Sequence, residues 1–230
     1  MKRPVYSFCY GVKNRTNVIN DFDGVDSCSR KLNYKPQSNI KLTPFLNSLE
    51  SVKKSFNSKD EFEVIIVDFQ SDDTDYIWLN ELDINYKIIN TDGFFNRGKA
   101  LNLGSDASTG DNIFTMDVDM IISKELIEQC DVILESKKAF FPICFSYKTP
   151  EHTDGWWRDT GFGMMVVNSE YWKSNNLKWL EKDSWGLEDS DIYNKLKSVS
   201  SRERGIEFYH QWHSNDPEFK LSNYKNKRMN

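Results

Sequence analysis

The chain has 230 residues, a formal charge of −5, 38% hydrophobic and 28% charged residues, the composition of an ordinary globular protein of one domain. The acidic balance excludes the basic face of a nucleic-acid binder, and four scattered Cys without CxxC spacing exclude a disulfide scaffold. No segment reaches the roughly 18 apolar residues of a membrane span and no signal sequence follows Met1-Lys2-Arg3, so the expected location is the cytoplasm, with any membrane contact peripheral.

Residues 5–10 form a short apolar run closed by Gly11, the first predicted strand. Residues 20–41 are polar and aperiodic and read as a surface excursion. Leu42, Phe45, Leu46, Leu49 and Val52 recur at helical spacing, with Thr43 placed as a cap and Pro44 in the first turn. Residues 63–68 are a nearly unbroken apolar run, the pattern of a strand buried on both faces, and Gln70-Ser71-Asp72-Asp73 ends it with turn chemistry.

Residues 86–89 predict another strand. Residues 97–105 predict a helix packed through Ala100, Leu101 and Gly104, and residues 112–116 a strand running into Asp117. Leu126, Ile127, Cys130, Ile133 and Leu134 mark an amphipathic helix. Residues 139–147 and 162–167 are further strand candidates, separated by a polar, aromatic-rich stretch around Trp156-Trp157. Ile192, Tyr193 and Leu196 mark a last helix, and residues 214–230 a polar tail. Strands alternating with helices imply an α/β sheet covered on both faces. Ligands of such sheets bind at the carboxyl ends of strands, where Asp68 and Asp117 stand.

Four segments carry candidate chemistry. In Asp117-Val118-Asp119 an extended backbone would turn both carboxylates to one side, where a shared Mg²⁺ or Mn²⁺ relieves their repulsion; two exposed acids in a turn are the plain alternative. Arg97 and Lys99 open a helix, a place where cations are unfavourable unless a phosphate sits there. Trp185-Gly186-Leu187-Glu188-Asp189-Ser190-Asp191 puts acids in a first helical turn. They either complement the helix dipole or supply a general base, with Trp185 as a sugar platform. His210 and His213 would share a metal on a helix, whereas on a strand only one would face it.

In order along the chain, Val12-Lys13-Asn14-Arg15, Phe95-Asn96-Arg97-Gly98-Lys99-Ala100-Leu101-Asn102, Asp117-Val118-Asp119, Trp185-Gly186-Leu187-Glu188-Asp189 and Tyr209-His210-Gln211 resemble the β-1,4-galactosyltransferase family. They also resemble the N-acetylgalactosaminyltransferase modules of bacterial chondroitin polymerases. The resemblance spans about residues 4–213. It implies a GT-A, Rossmann-like fold with a mostly parallel central sheet flanked by helices. Residues 1–119 would form the nucleotide-binding half of one domain and residues 120–213 the acceptor-binding half.

The implied reaction is inverting transfer of a hexose or N-acetylhexosamine from a UDP-sugar donor to an oligosaccharide or glycan acceptor, with Mn²⁺ or Mg²⁺. By position, Arg15 and Asp68 would meet the uridine, Arg97 and Lys99 the diphosphate, and Asp117 the ribose or donor sugar. Asp119 and His210, less readily His213, would ligate the metal. Asp189 would be the base, with Glu188 holding a sugar beside it and Trp185 flanking the acceptor. Gly161 would replace an aromatic that crowds the donor sugar's 2-position, leaving room for an N-acetyl group. The sequence departs from the pattern at Leu187, where the family has Gly, at Ser190, where it has an acid, and in lacking the methionine metal ligand. No anchor or stem of the eukaryotic members is expected. Two rival readings stay open: a sugar nucleotidyltransferase, which the single Gly of residues 11–15 disfavours, and an inactive nucleotide-sugar or glycan-binding module.

Overall fold

Alternation along the central strands decides which side chains meet which helices. The computed structural model describes residues 4–13, 44–71, 76–149, 152–182 and 186–212. These hold strands β1 (Tyr6–Val12), β2 (Phe62–Asp68), β3 (Tyr86–Asn90), β4 (Asn112–Met116), β5 (Met120–Ile121), β6 (Ala139–Tyr147), β7 (Gly155–Trp157), β8 (Met165–Asn168) and β9 (Ser200–His210). The helices are α1 (Pro44–Lys54), α2 (Ile77–Glu81), α3 (Arg97–Ala107), α4 (Lys124–Ser136), α5 (Ser169–Ser174) and α6 (Glu188–Leu196). The excursion at 20–41, Thr43 and the tail at 214–230 lie outside the described residues.

All these strands join one sheet in the order β3-β2-β1-β4-β8-β6-β9-β5, with β7 against β6. The first four run parallel; β8 enters antiparallel to β4 and β6, and β9 pairs parallel with β6. Most of the ladder is thus parallel. Phe8, Tyr10, Val64, Ile66, Phe114 and Met116 point to one face, where α1 and α4 cover them with Phe45, Leu49, Val52, Leu126 and Cys130. Cys9, Ile65, Ile113, Phe141 and Val167 point to the other, against Leu101 of α3, Trp172 of α5 and Ile192 and Leu196 of α6. Each such buried side chain contributes about 1.5–3 kcal/mol.

One detail differs from the sequence reading. The strand expected over 162–167 begins only at Met165, because Phe162 leaves the sheet to stack on Tyr193 of α6 at 4.0 Å with Arg202 over its ring at 4.3 Å. Of the helix and the strand left open for His210, the structure has the strand. Its pairing with β6 skips residues between Ile143 and Phe145, a bulge in which Glu207 takes φ 48°. Beyond the bulge, His210 lies opposite Ser146 on one side and Met120 on the other. Among the described residues no helix is long and apolar enough to cross a membrane.

Candidate active site

β4 stops at Met116, and the carbonyl of Asp117 accepts the Met120 amide at 3.3 Å, so Asp117-Val118-Asp119 is a tight turn rather than extended chain. The turn sends the two carboxylates to different partners. Asp117 Oδ1 accepts from Arg97 Nε at 2.9 Å, while Asp119 Oδ2 stands 3.5 Å from His210 Nε2. Val118 between them is buried.

Arg97 joins the turn to the acidic helix start. Besides Asp117 it donates through Nη2 to the Gly163 carbonyl at 2.5 Å, and its Nη1 lies 3.8 Å from Glu188 Oε1. Burial alone would lower this guanidinium, but Asp117, Glu188 and Asp189 outweigh burial and hold it above the ordinary arginine value. Glu188 and Asp189 open α6. Asp189 Oδ1 accepts the Ser190 amide at 2.7 Å, and Oδ2 has a long 3.5 Å contact from the Phe162 amide.

The rest of the motif around Arg97 fixes its position. Asn96 caps α3 by accepting the Lys99 amide at 2.9 Å, and its Nδ2 donates to the Lys182 carbonyl at 2.8 Å. A Cβ on Gly98 would run into the Leu180 carbonyl, and one on Gly11 would come within 2.7 Å of Ala100 Cβ. Asn102 holds Trp179 from both sides, donating to its carbonyl at 3.0 Å and accepting its amide at 2.8 Å, and the Trp179 ring lies under Arg97 at 5.5 Å. Lys99 points elsewhere: its Nζ is 5.6 Å from the Phe69 ring and 3.4 Å from the Asp92 carbonyl.

On the other side of the turn, His210 Nδ1 lies 3.2 Å from Ser146 Oγ, and Nε2 lies 3.3 Å from Arg158 Nη2. Gln211 is buried: Nε2 donates to the Pro44 carbonyl at 2.8 Å, Oε1 accepts from Asn47 at 3.0 Å, and its amide donates to the Asp119 carbonyl at 2.9 Å. It therefore locks β9, α1 and the turn together. Beneath lies Cys144, whose thiol burial pushes up to about 12, with Arg158 and both turn aspartates acting on it.

Among the described residues no group of three or more His, Cys, Asp or Glu stands close enough to hold a metal. The Asp119/His210 pair nevertheless fits Mn²⁺ or Mg²⁺. One hard carboxylate and one oriented imidazole converge, and such ions commonly take their remaining ligands from water and substrate phosphates.

Asp68 ends β2, and its carboxylate is turned to its own loop, accepting Ser71 Oγ at 2.6 Å, the Ser71 amide at 2.9 Å and Tyr76 OH at 2.9 Å. Arg15, Trp185 and His213 lie outside the described residues. The structure thus brings Arg97, Asp117, Glu188 and Asp189 into one cluster and Asp119 with His210 into another. Arg158, Ser146 and Gln211 were missed as site residues. Only Gln211, inside the Tyr-His-Gln motif, carried a sequence signal.

Among solved structures, S. aureus TarS 1-349 in complex with UDP-GlcNAc matches at TM-score 0.67 and 15% identity, over 92% of this chain and 59% of that one. The mannosyltransferase PcManGT from Pyrobaculum calidifontis, in complex with GDP-Man and Mn²⁺, matches at TM-score 0.59 and 11% identity, over 96% of this chain and 60% of that one. The fold is that of the GT-A glycosyltransferases. Among curated proteins, chondroitin sulfate N-acetylgalactosaminyltransferase 2 of Mus musculus is 30% identical over 156 residues, 56% of this chain and 28% of that protein. Chondroitin sulfate synthase 3 of Homo sapiens is 30% identical over 161 residues, 58% of this chain and 18% of that protein. The chain therefore spans under a third of the length of these relatives. Residues 43–199 match Glycosyl transferase family 2, and the chain belongs to that family of glycosyltransferases. The matched stretch contains Arg97, the Asp117–Asp119 turn, Glu188 and Asp189, and stops short of His210.

Proposed function

We propose that this glycosyltransferase moves a hexose or N-acetylhexosamine from a UDP-sugar to a hydroxyl of a glycan acceptor, inverting the anomeric carbon in one displacement. The observation that carries the reading is the Asp117–Arg97–Glu188 bridge, which brings the acidic pair to the carboxyl end of β4. Asp189 takes the proton of the acceptor hydroxyl at Oδ2, because Oδ1 is engaged by the Ser190 amide at 2.7 Å. As that proton leaves, the acceptor oxygen bonds the anomeric carbon and the bond to the diphosphate breaks. Glu188, held toward Arg97, orients a sugar beside the base, and Asp117 contacts the donor. Asp119 and His210 would hold Mn²⁺ or Mg²⁺, which when bound neutralises charge growing on the departing diphosphate. By motif position Arg15 and Asp68 are assigned to the uridine, Lys99 to the diphosphate and Trp185 to the acceptor; to reach the donor, Lys99 would turn from the Asp92 carbonyl and the Asp68 carboxylate from Ser71 and Tyr76.

An N-acetylhexosamine is favoured among donors. A Cβ on Gly161 would meet nothing within 4 Å, and a relative named for N-acetylgalactosamine transfer is 30% identical over 56% of this chain. Three free buried thiols, Cys9, Cys130 and Cys144, fit a reducing compartment such as the cytoplasm. The test is a panel of UDP-sugars with Mn²⁺ and glycan acceptors, run on wild type and Asp189→Asn. Transfer should fall roughly 10²–10⁴-fold in the variant with donor binding retained. Near-normal transfer by the variant would remove Asp189 from the role of base, and no UDP release from any donor would remove the UDP-sugar reading.

A further inference from the structure

Arg158 reaches His210 from the loop after β7. Its backbone is pinned: the amide donates to the Cys144 carbonyl at 2.9 Å, and its own carbonyl accepts from the Gly161 amide at 3.3 Å and Arg202 Nη2 at 3.5 Å. Its Nη2 ends 3.3 Å from His210 Nε2. A guanidinium can only donate, so in a hydrogen bond with Arg158, the nearer of its two partners at 3.3 Å against 3.5 Å for Asp119 Oδ2, Nε2 is the acceptor. The ring proton then sits on Nδ1, directed at Ser146 Oγ 3.2 Å away. The Nε2 lone pair used by Arg158 is the one a metal would need. A guanidinium and a divalent cation at one nitrogen also repel. The two therefore exclude each other, both in bonding and in charge.

We propose that Arg158 is a resident cation of the Asp119/His210 pair, seated against the imidazole nitrogen a metal would take, so that metal must displace it and its presence sets metal affinity. This rests on the reading of Asp119 and His210 as metal ligands. In the empty protein Arg158 holds the imidazole in the tautomer and orientation that metal binding requires. On loading, its side chain swings away while its backbone stays fixed.

The test is a Mn²⁺ titration of the full chain at fixed pH, following free Mn²⁺ by electron paramagnetic resonance. Wild type is compared with Arg158→Gln, Arg158→Met, Arg158→Lys and Asp119→Ala. Removing the charge with Gln or Met should tighten Mn²⁺ binding on the order of tenfold, an ordinary size for coupling between two ligands. Lys, which keeps the charge, should stay within about twofold of wild type on the same scale. Having both Gln and Met keeps the result readable should one of them fail to fold. Unchanged or weaker binding in the charge-removing variants, with wild-type binding still abolished by Asp119→Ala, overturns the resident-cation role and leaves the metal pair standing. Equal tightening by Lys also overturns it, since charge would not then be the competitor. If no variant shows Asp119-dependent Mn²⁺ binding, the metal pair itself is wrong and this inference goes with it.

Discussion

Arg97→Met removes a cation whose side chain is 15% exposed from between Asp117 and Glu188, whose side chains are 38% and 14% exposed. Taking one partner from a buried pair costs about 3–5 kcal/mol because the other charge stays buried. Asp117 is over a third exposed and recovers part of its hydration, so about 2–4 kcal/mol is expected here. In a chain of this length each kcal/mol moves Tm by roughly 2–4 °C, which puts the drop at about 5–15 °C. Differential scanning calorimetry and urea unfolding would measure it. The cause is uncompensated carboxylate charge, so the same substitution in an Asp117→Asn/Glu188→Gln background should cost well under half as much. A Tm within about 2 °C of wild type, on that same scale, would refute the argument. So would an equal cost in both backgrounds, which would place the contribution of Arg97 in its bond to the Gly163 carbonyl and its packing over Trp179.

Other substitutions test the surrounding frame. Gly98→Ala should lose roughly 1–3 kcal/mol in urea unfolding, because its Cβ meets the Leu180 backbone, whereas Gly161→Ala should stay within about 0.5 kcal/mol. Gln211→Ala orphans the Pro44 carbonyl and Asn47 Nδ2 and should cost about 2–4 kcal/mol. A loss under 1 kcal/mol would mean that water replaces it readily. Leu187 holds φ 79° while 59% exposed, so Leu187→Gly should match or exceed wild-type stability, by up to about 1 kcal/mol; a clear fall in Tm would contradict this. With Cys28 replaced by Ser, the remaining thiols should resist DTNB at pH 8 until the protein unfolds. For Cys144, held up to about 12 by burial, the thiolate population is about three orders of magnitude below that of a free cysteine.

The parallel half of the sheet was legible because its strands are buried on both faces and read as unbroken apolar runs, as in residues 63–68. β9 was not, because its sequence Ser-Ser-Arg-Glu-Arg-Gly-Ile-Glu-Phe-Tyr-His is mostly polar, and only Gly205 and Phe208 of it are fully buried. Its place comes from pairing with β6, a distant partner that no local period announces. The Asn-Arg-Gly-Lys-Ala-Leu-Asn motif was found, but most of its residues serve geometry: a cap, a close approach and an amide clamp on Trp179. The assumption of extended backbone at Asp117–Asp119 failed because a turn hydrogen bond between Asp117 and Met120 is invisible to alternation. Leu187 shows the converse. The galactosyltransferase pattern has Gly there, and the left-handed backbone at this position supplies a physical reason for it.

The two-residue strand β5 pairs with β9, and the Asp119 carbonyl takes the Gln211 amide. Chain segments far apart in sequence must therefore find each other before Asp119 and His210 share a neighbourhood. Closing so long a loop is entropically slow. The β2–β3 and β1–β2 pairings join nearer segments, Val64 with Tyr86 and Tyr6 with Phe62, than the pairing of Met120 with His210, and can form before this corner does. On the proposed metal pair, a cation gripping both residues would bind the finished molecule and not its precursors, shifting the balance toward completion by mass action. Divalent cation would then govern how long β9 stays docked, as well as whether the site can work.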